Sequence, residues 1–176
     1  MTTEPISRLY SSSESRRAPD HVICAIDLGS KTFKLVKGTR ENGRIETELM
    51  RKATLNIGAE IHESGGVINT PKLREMEDTL AEFARECREN KASRILAIAT
   101  SAINRASNKD DILAITQDLG IELEIADGHR EGHVGYLTAT RGEPNWLVVE
   151  LGSNSCQIAW HCGERVRAHQ IQAGYI

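Results

Sequence analysis

Two apolar runs in this chain end in the same way, and that repetition limits the folds open to it. Residues 21–28 read HVICAIDL and residues 145–150 read NWLVVE; each run reaches an acid, Asp27 or Glu150, that stands directly before Leu-Gly-Ser. A short apolar run bounded by a glycine turn reads as a buried strand. After each turn the text becomes strand-like again. Residues 31–37 alternate Phe33 and Leu35 with a more polar set, and residues 155–161 and 165–171 flank Gly163 as a hairpin. We read DLGSKT and ELGSNS as an internal repeat, two strand–turn–strand openings in one chain.

Between them the pattern changes period. Residues 44–55 read as a third strand, entered through a turn at Gly43, and residues 58–69 as a glycine-containing loop. Thr70-Pro71 opens a helix with a capping side chain, and Leu73, Met76, Leu80, Phe83, Ala84 and Cys87 recur along it at helical spacing. Residues 93–99 (SRILAIA) form an interior strand, and a short helix follows Thr100. Asn108 caps a further helix that stops at Gly120, residues 121–126 are a strand, and residues 128–140 a helix. Three antiparallel strands followed by alternating helices and strands predict an α/β fold. The domain reading is a disordered arm over 1–20, a first lobe over 21–144, and the opening strands of a second lobe over 145–176. With no helix left after them, Ile158, Trp160 and Val166 are expected on a thinly covered sheet that self-associates. Trp146 and Trp160 sit in strand contexts and read as core rather than as base-stacking platforms.

Bulk charge narrows the partners. With 22 basic against 25 acidic residues the net charge is −3, so no global field recruits nucleic acid or an anionic membrane. Any polyanion must be held by local geometry. No stretch has the roughly 18 apolar residues of a membrane span. The four cysteines, Cys24, Cys87, Cys156 and Cys162, lack zinc-ligand spacing and read as reduced thiols of a cytoplasmic protein.

The two glycine turns suit phosphate. A glycine without a side chain lets backbone N–H groups approach an anion, and Ser30 and Thr32 add hydroxyl donors. Asp27 at the strand end repels a bare phosphate but suits a Mg²⁺ that bridges to one, and Glu150 repeats the device. His129 and His133 lie four apart on one helix but lack the HExxH pattern, so they read as solvated.

Four segments, AIDLGSKTFKLV, ILAIATSAINRASN, IELEIADGHREG and LVVELGSNSCQI, resemble in order the signature segments of the exopolyphosphatase/guanosine pentaphosphate phosphatase (Ppx/GppA) family. The resemblance implies a ribonuclease H-like lobe of the actin-like ATPase superfold plus the first strands of a second such lobe. It also implies Mg²⁺-assisted hydrolysis of terminal phosphoanhydride bonds of polyphosphate or guanosine pentaphosphate. A relative that binds polyphosphate or guanosine tetra- or pentaphosphate without turnover is the alternative. By position, Glu131 matches the catalytic glutamate that activates water. Asp27, Gly29, Ser30 and Thr32 match the first phosphate loop, which also holds Lys31, and Glu150, Gly152, Ser153, Asn154 and Ser155 fall on the second. Several positions depart from the family text. Lys31 replaces asparagine, Glu150 aspartate, Ser153 and Asn154 two glycines, Gln157 a glutamate, and Arg130 the first of a glutamate pair. Asn104 stands where the family carries a phosphate-binding arginine, with Arg105 adjacent and taken as its substitute.

Overall fold

The structure, a computed structural model, describes residues 21–41, 44–153 and 155–172. The expected arm over 1–20, the turn at Gly43, Asn154 and residues 173–176 lie outside the described residues.

Strand alternation builds the first sheet. In β1 (Val22–Leu28), Cys24, Ile26 and Leu28 point into the core, which leaves Asp27 on the opposite face. β1 pairs antiparallel with β2 (Thr32–Glu41), and β2 antiparallel with β3 (Arg44–Thr54). β4 (Arg94–Ala99) lies parallel to β1, and β5 (Glu122–Ile125) parallel to β4. The order is β3-β2-β1-β4-β5. Its buried face carries Phe33, Leu35, Ile95 and Ala97 in one cluster with Met76, Leu80, Phe83 and Cys87 of α2 (Thr70–Glu89). Among the described residues no helix is long and apolar enough to cross a membrane.

Three local expectations need correction. The stretch expected as a loop over 58–69 begins with a helix, α1 (Ile57–Glu63), because Ile57 and Ile61 are spaced to bury one face together. The cap of α2 is Asn69, one residue before Thr70; its side chain accepts from the Lys72 amide at 2.9 Å. Asn108 precedes α4 (Lys109–Asp118) without a capping hydrogen bond from its side chain. That amide instead accepts from Ile68 N–H and donates to Ile68 C=O, both at 2.9 Å, and so ties down the segment before α2.

The second sheet has three antiparallel strands: β6 (Leu147–Leu151), β7 (Cys156–Cys162) and β8 (Arg165–Ile171), in that order. It is not left without a helix. α5 (Gly128–Thr140), placed by the sequence reading with the first lobe, packs on β7 and β8. The reason lies in its glycines. A Cβ at Gly132 would lie 2.6 Å from the Ala168 Cβ, and Cβ atoms at Gly128 and Gly135 would collide with Gln170 and Glu150. These three residues fall on one helical face, so the backbone itself rests on the sheet. Val166, expected on a thin surface, is therefore buried with Tyr136 and Ala159.

The other face of this sheet is open. Leu147, Val149 and Leu151 are each about 60% exposed. Trp146 at 56% and Trp160 at 36% exposed are not core, contrary to their strand-context reading. Trp160 shares the open face with Leu147, its cross-strand partner.

The close approach of α5 gives an opposed pair of effects at Gly132. Alanine there raises helix propensity by about 1 kcal/mol, yet overpacking a closed contact costs about 1–3 kcal/mol. Overlap at 2.6 Å wins, so Gly132→Ala is expected to lower the urea midpoint. An unchanged or raised midpoint would show that α5 does not sit this close.

Candidate functional site

The unburied face of the first sheet and the α5 side of the second meet at a cleft of about 880 Å³. Register explains which side chains reach it. Asp27 pairs with Lys34, Lys34 with Lys52, and Asp27 with Ile98 across β4, so these four form one cross-strand row facing the cleft. From the second sheet, Glu150 and Val148 of β6 enter on the face that carries α5.

The two turns share a construction. A Cβ at Gly29 would lie 2.9 Å from the Thr32 carbonyl oxygen, and one at Gly152 would lie 3.1 Å from that of Ser155. The same glycine-to-third-residue contact thus closes both, and Gly152 N–H donates to the Ser155 carbonyl at 2.9 Å. In the first turn the carbonyls of Ser30 and Lys31 accept from Gly58 (2.7 Å) and from Leu55 and Asn56 (both 3.0 Å). Those acceptors are spent on the protein, which suits a turn whose N–H side meets an anion. Gly29, Ser30, Lys31, Thr32, Gly152, Ser153 and Ser155 all line the cleft.

Glu131 stands in the first turn of α5. Asp127 caps that helix, its carboxylate accepting from Arg130 N–H at 2.7 Å, and the Arg130 guanidinium pairs with Glu124 at 2.7 Å, outside the cleft. Glu131 is half-buried, and burial, then Glu150, then Asp27 push its pKa up to about 7, with Arg105 opposing. Asp27 is also raised, by burial, although Lys34 at 3.5 Å pulls the other way. Burial outweighs that exposed and rather long ion pair. Three carboxylates thus share one cleft, and burial first, then the two neighbouring acids, bring Glu131 close to neutrality.

Two expected ligands are not free in the cleft. Ser155 lines the cleft wall, but its hydroxyl is buried between Ser101 Oγ (3.2 Å) and Gln157, whose Nε2 donates to it at 2.9 Å. Arg105 does not line this cleft. It ends α3 (Ser101–Arg105) on a smaller groove with His62 and Gly66, and its guanidinium donates to the Gln172 side chain. Asn104 does not line the cleft either, so no arginine does among the described residues. Sequence reasoning missed Lys34 and Lys52. The signal was present in the alternation of β1 and β2, which sets Lys34 beside Asp27, but Lys52 needed the register of β3, which shifts at a bulge between Leu35 and Val36.

Glu131 carries a consequence for stability. An acid raised from 4.5 to about 7 by folding binds more protons folded than unfolded between those values, so stability falls as pH rises through that window. With solvent screening allowed for, the effect is on the order of 1 kcal/mol. In chelator, Glu131→Gln is expected to flatten the fall in Tm between pH 5 and 7.5 and to raise Tm at pH 8. A parallel pH profile in the variant would remove Glu131 from the strained cluster.

Comparison with known proteins agrees with this geometry. Residues 35–170 match the Ppx/GppA phosphatase family. Exopolyphosphatase 1 of Mycobacterium tuberculosis is 29% identical over 141 residues, covering 76% of this chain and 40% of that protein. The crystal structure of the Aquifex aeolicus Ppx/GppA family member superposes with a TM-score of 0.77 at 25% identity, over 89% of this chain and 52% of that one. An exopolyphosphatase from Cytophaga hutchinsonii gives a TM-score of 0.75 at 26% identity, over 88% and 51%. The chain therefore spans about 40% of the length of the curated relatives it matches. Its fold is that of a ribonuclease H-like lobe of the actin-like ATPase superfold joined to the first strands of a second. By the extent of the match and the order of its elements, this chain belongs to the Ppx/GppA phosphatase family.

Proposed function

We propose that the cleft hydrolyses terminal phosphoanhydride bonds of inorganic polyphosphate, with Glu131 as the base. The observation that carries this reading is the convergence of a near-neutral Glu131 with two glycine turns of one construction on a single cleft. The phosphate chain lies along the turns, where backbone N–H groups and the Ser30 and Thr32 hydroxyls donate to it. Lys31, Lys34 and Lys52 line the first-lobe wall and neutralise phosphates further along. Glu131 takes a proton from a water molecule, whose oxygen attacks the terminal phosphorus as the bridging oxygen leaves with the shortened chain. Two lysines directly opposite each other in a sheet repel, so Lys34 and Lys52 favour an extended polyanion over a compact nucleotide. Guanosine pentaphosphate remains the related substrate to be compared.

Mg²⁺ fits the acids of this cleft. Among the described residues no three acidic, histidine or cysteine side chains converge to hold a metal by themselves. Mg²⁺ is commonly held by one or two carboxylates with substrate phosphates supplying further oxygens, and Asp27 and Glu150 are the pair that would do so here. When bound, the ion would neutralise phosphate charge and offset the share of the Glu131 shift that comes from Glu150 and Asp27. A binding protein without turnover is the second reading, favoured by the absence of an arginine lining the cleft among the described residues, since phosphoryl transfer depends on such charge.

Phosphate release from polyphosphate, with guanosine pentaphosphate in parallel, separates these readings. Glu131→Gln is expected to lower turnover by roughly 10²–10⁴ while leaving polyphosphate binding in place, because glutamine keeps the shape and cannot take the proton. Lys52→Ala is expected to weaken binding of long polyphosphate more than of guanosine pentaphosphate. Tight binding with no phosphate release from the parent protein would favour the binder.

We also propose self-association through β6, whose outer edge has no strand partner among the described residues and whose open face is apolar. Val149→Asp, which places a charge at the centre of that face, is expected to shift sedimentation toward the monomer. A parent protein that stays monomeric across the concentration range would end this proposal.

A further inference from the structure

Arg105 was expected at substrate and is found elsewhere, and the contacts it makes lead back to Glu131. Gln170 lies near the end of β8, and Gln172 follows the last residue of that strand. The Arg105 guanidinium donates to Gln172 Oε1. Gln172 Nε2 donates to Gln170 Oε1 at 3.4 Å, and Gln170 Nε2 donates to Glu131 Oε2 at 3.5 Å. The direction of this chain is forced. A guanidinium can only donate and an ionised carboxylate can only accept, so both amides between them must point the same way. Aligned amides polarise one another, and the charge of Arg105 is felt at a carboxylate it does not touch.

The position of Gln170 is set by backbone packing. Its side chain lies against Gly128, where a Cβ would collide with it, so the first turn of α5 holds the amide beside Glu131. Register places Gln170 in the same row as Gln157 and Glu150. The Gln157 amide is engaged with Ser155, and Glu150 can only repel Glu131. Among the described side chains Gln170 is therefore the one that donates to the base. The 3.5 Å separation is at the long limit of a hydrogen bond, and such contacts tighten when a site is loaded.

We propose that Gln170, held through Gln172 by Arg105, is a positioning residue that fixes the Glu131 carboxylate toward the cleft. The kinetic consequence rests on Glu131 being the base; the relay itself does not. A carboxylate repelled by two neighbours and half exposed has several rotamers, and a fixed donor on its far oxygen selects one. Misplacing a base by an ångström can cost up to about 10² in rate.

Two measurements on the whole protein test this. In ¹⁵N-labelled protein the side-chain amide of Gln170 is identified by its disappearance in Gln170→Ala. Arg105→Met is expected to move that resonance, although Gln172 stands between, and Glu131→Gln to move it as well. A Gln170 amide indifferent to both variants would overturn the relay. In phosphate-release assays, Gln170→Ala and the uncharged, similarly long non-donor Gln170→Met should each lower kcat about tenfold with KM and Tm little changed. Neither should lower it further in a Glu131→Gln background, where no base remains to be aimed. Equal losses in both backgrounds would make the role merely structural and overturn the proposal. If the protein releases no phosphate, the hydrolase reading fails, and the resonance of Gln170 alone upholds or overturns the relay.

Discussion

The close seating of α5 on β7 and β8 is the contact on which the site depends. Helices normally stand off a sheet by the depth of their side chains, but Gly128, Gly132 and Gly135 remove that spacer along one face. The cost is helix propensity, since three glycines weaken an isolated helix by about 1 kcal/mol each relative to alanine. Packing offsets it. Tyr136 on the same face is fully buried with Ala159 and Val166, its hydroxyl donating to the Glu143 carbonyl at 2.8 Å. A helix drawn in this far brings Glu131 level with Glu150 and with the side chains at the end of β8.

The same seating joins the two sheets into one site. α5 follows β5 of the first sheet in sequence and lies on the second in space, so the segment carrying Glu131 belongs to both. The buried pair Ser101–Ser155 makes a second link, joining α3 of the first lobe to the second glycine turn. Buried polar groups are tolerable only when satisfied, and Gln157 completes this group by donating to Ser155. Gln157 stands where the family resemblance implies a glutamate, and its amide supplies the donor that a carboxylate could not. Ser155 gives up part of its capacity toward a ligand and becomes part of the wall.

Much of this was legible in the text of the chain, and the parts that were not have physical reasons. β1 and β2 followed from alternation around Ile26, Leu28, Phe33 and Leu35, and the buried stripe of α2 followed from its spacing. The two turns were visible as DLGS and ELGS because a tight strand-end turn needs its glycine wherever it occurs. α1 was missed because seven residues beginning Ile-Gly carry too little period to outvote a glycine signal. Trp146 and Trp160 were misread because an apolar strand residue does not say which of two faces receives a helix. α5 was assigned to the wrong neighbour for a related reason. Glycines at helical spacing look like weakness in a sequence, and only the partner strands show them to be a contact surface. Arg105 was placed by adjacency to Asn104, yet neighbours on a helix point about 100° apart, and its side chain reaches the other groove.

Charge explains why these arrangements coexist. Glu150 and Asp27 add to burial in raising Glu131, and a fold selected only for stability would separate these acids. What the chain supplies instead is partial compensation from outside the triad: Lys34 at Asp27, and Arg105 acting on Glu131 from a distance. An arginine placed among these acids would relieve their repulsion, but it would also bring Glu131 back toward its ordinary 4.5. Holding the cation one relay away leaves the carboxylate raised and aimed at once. That compromise accounts for a cleft lined by lysines and acids, with Arg105 lining the neighbouring groove.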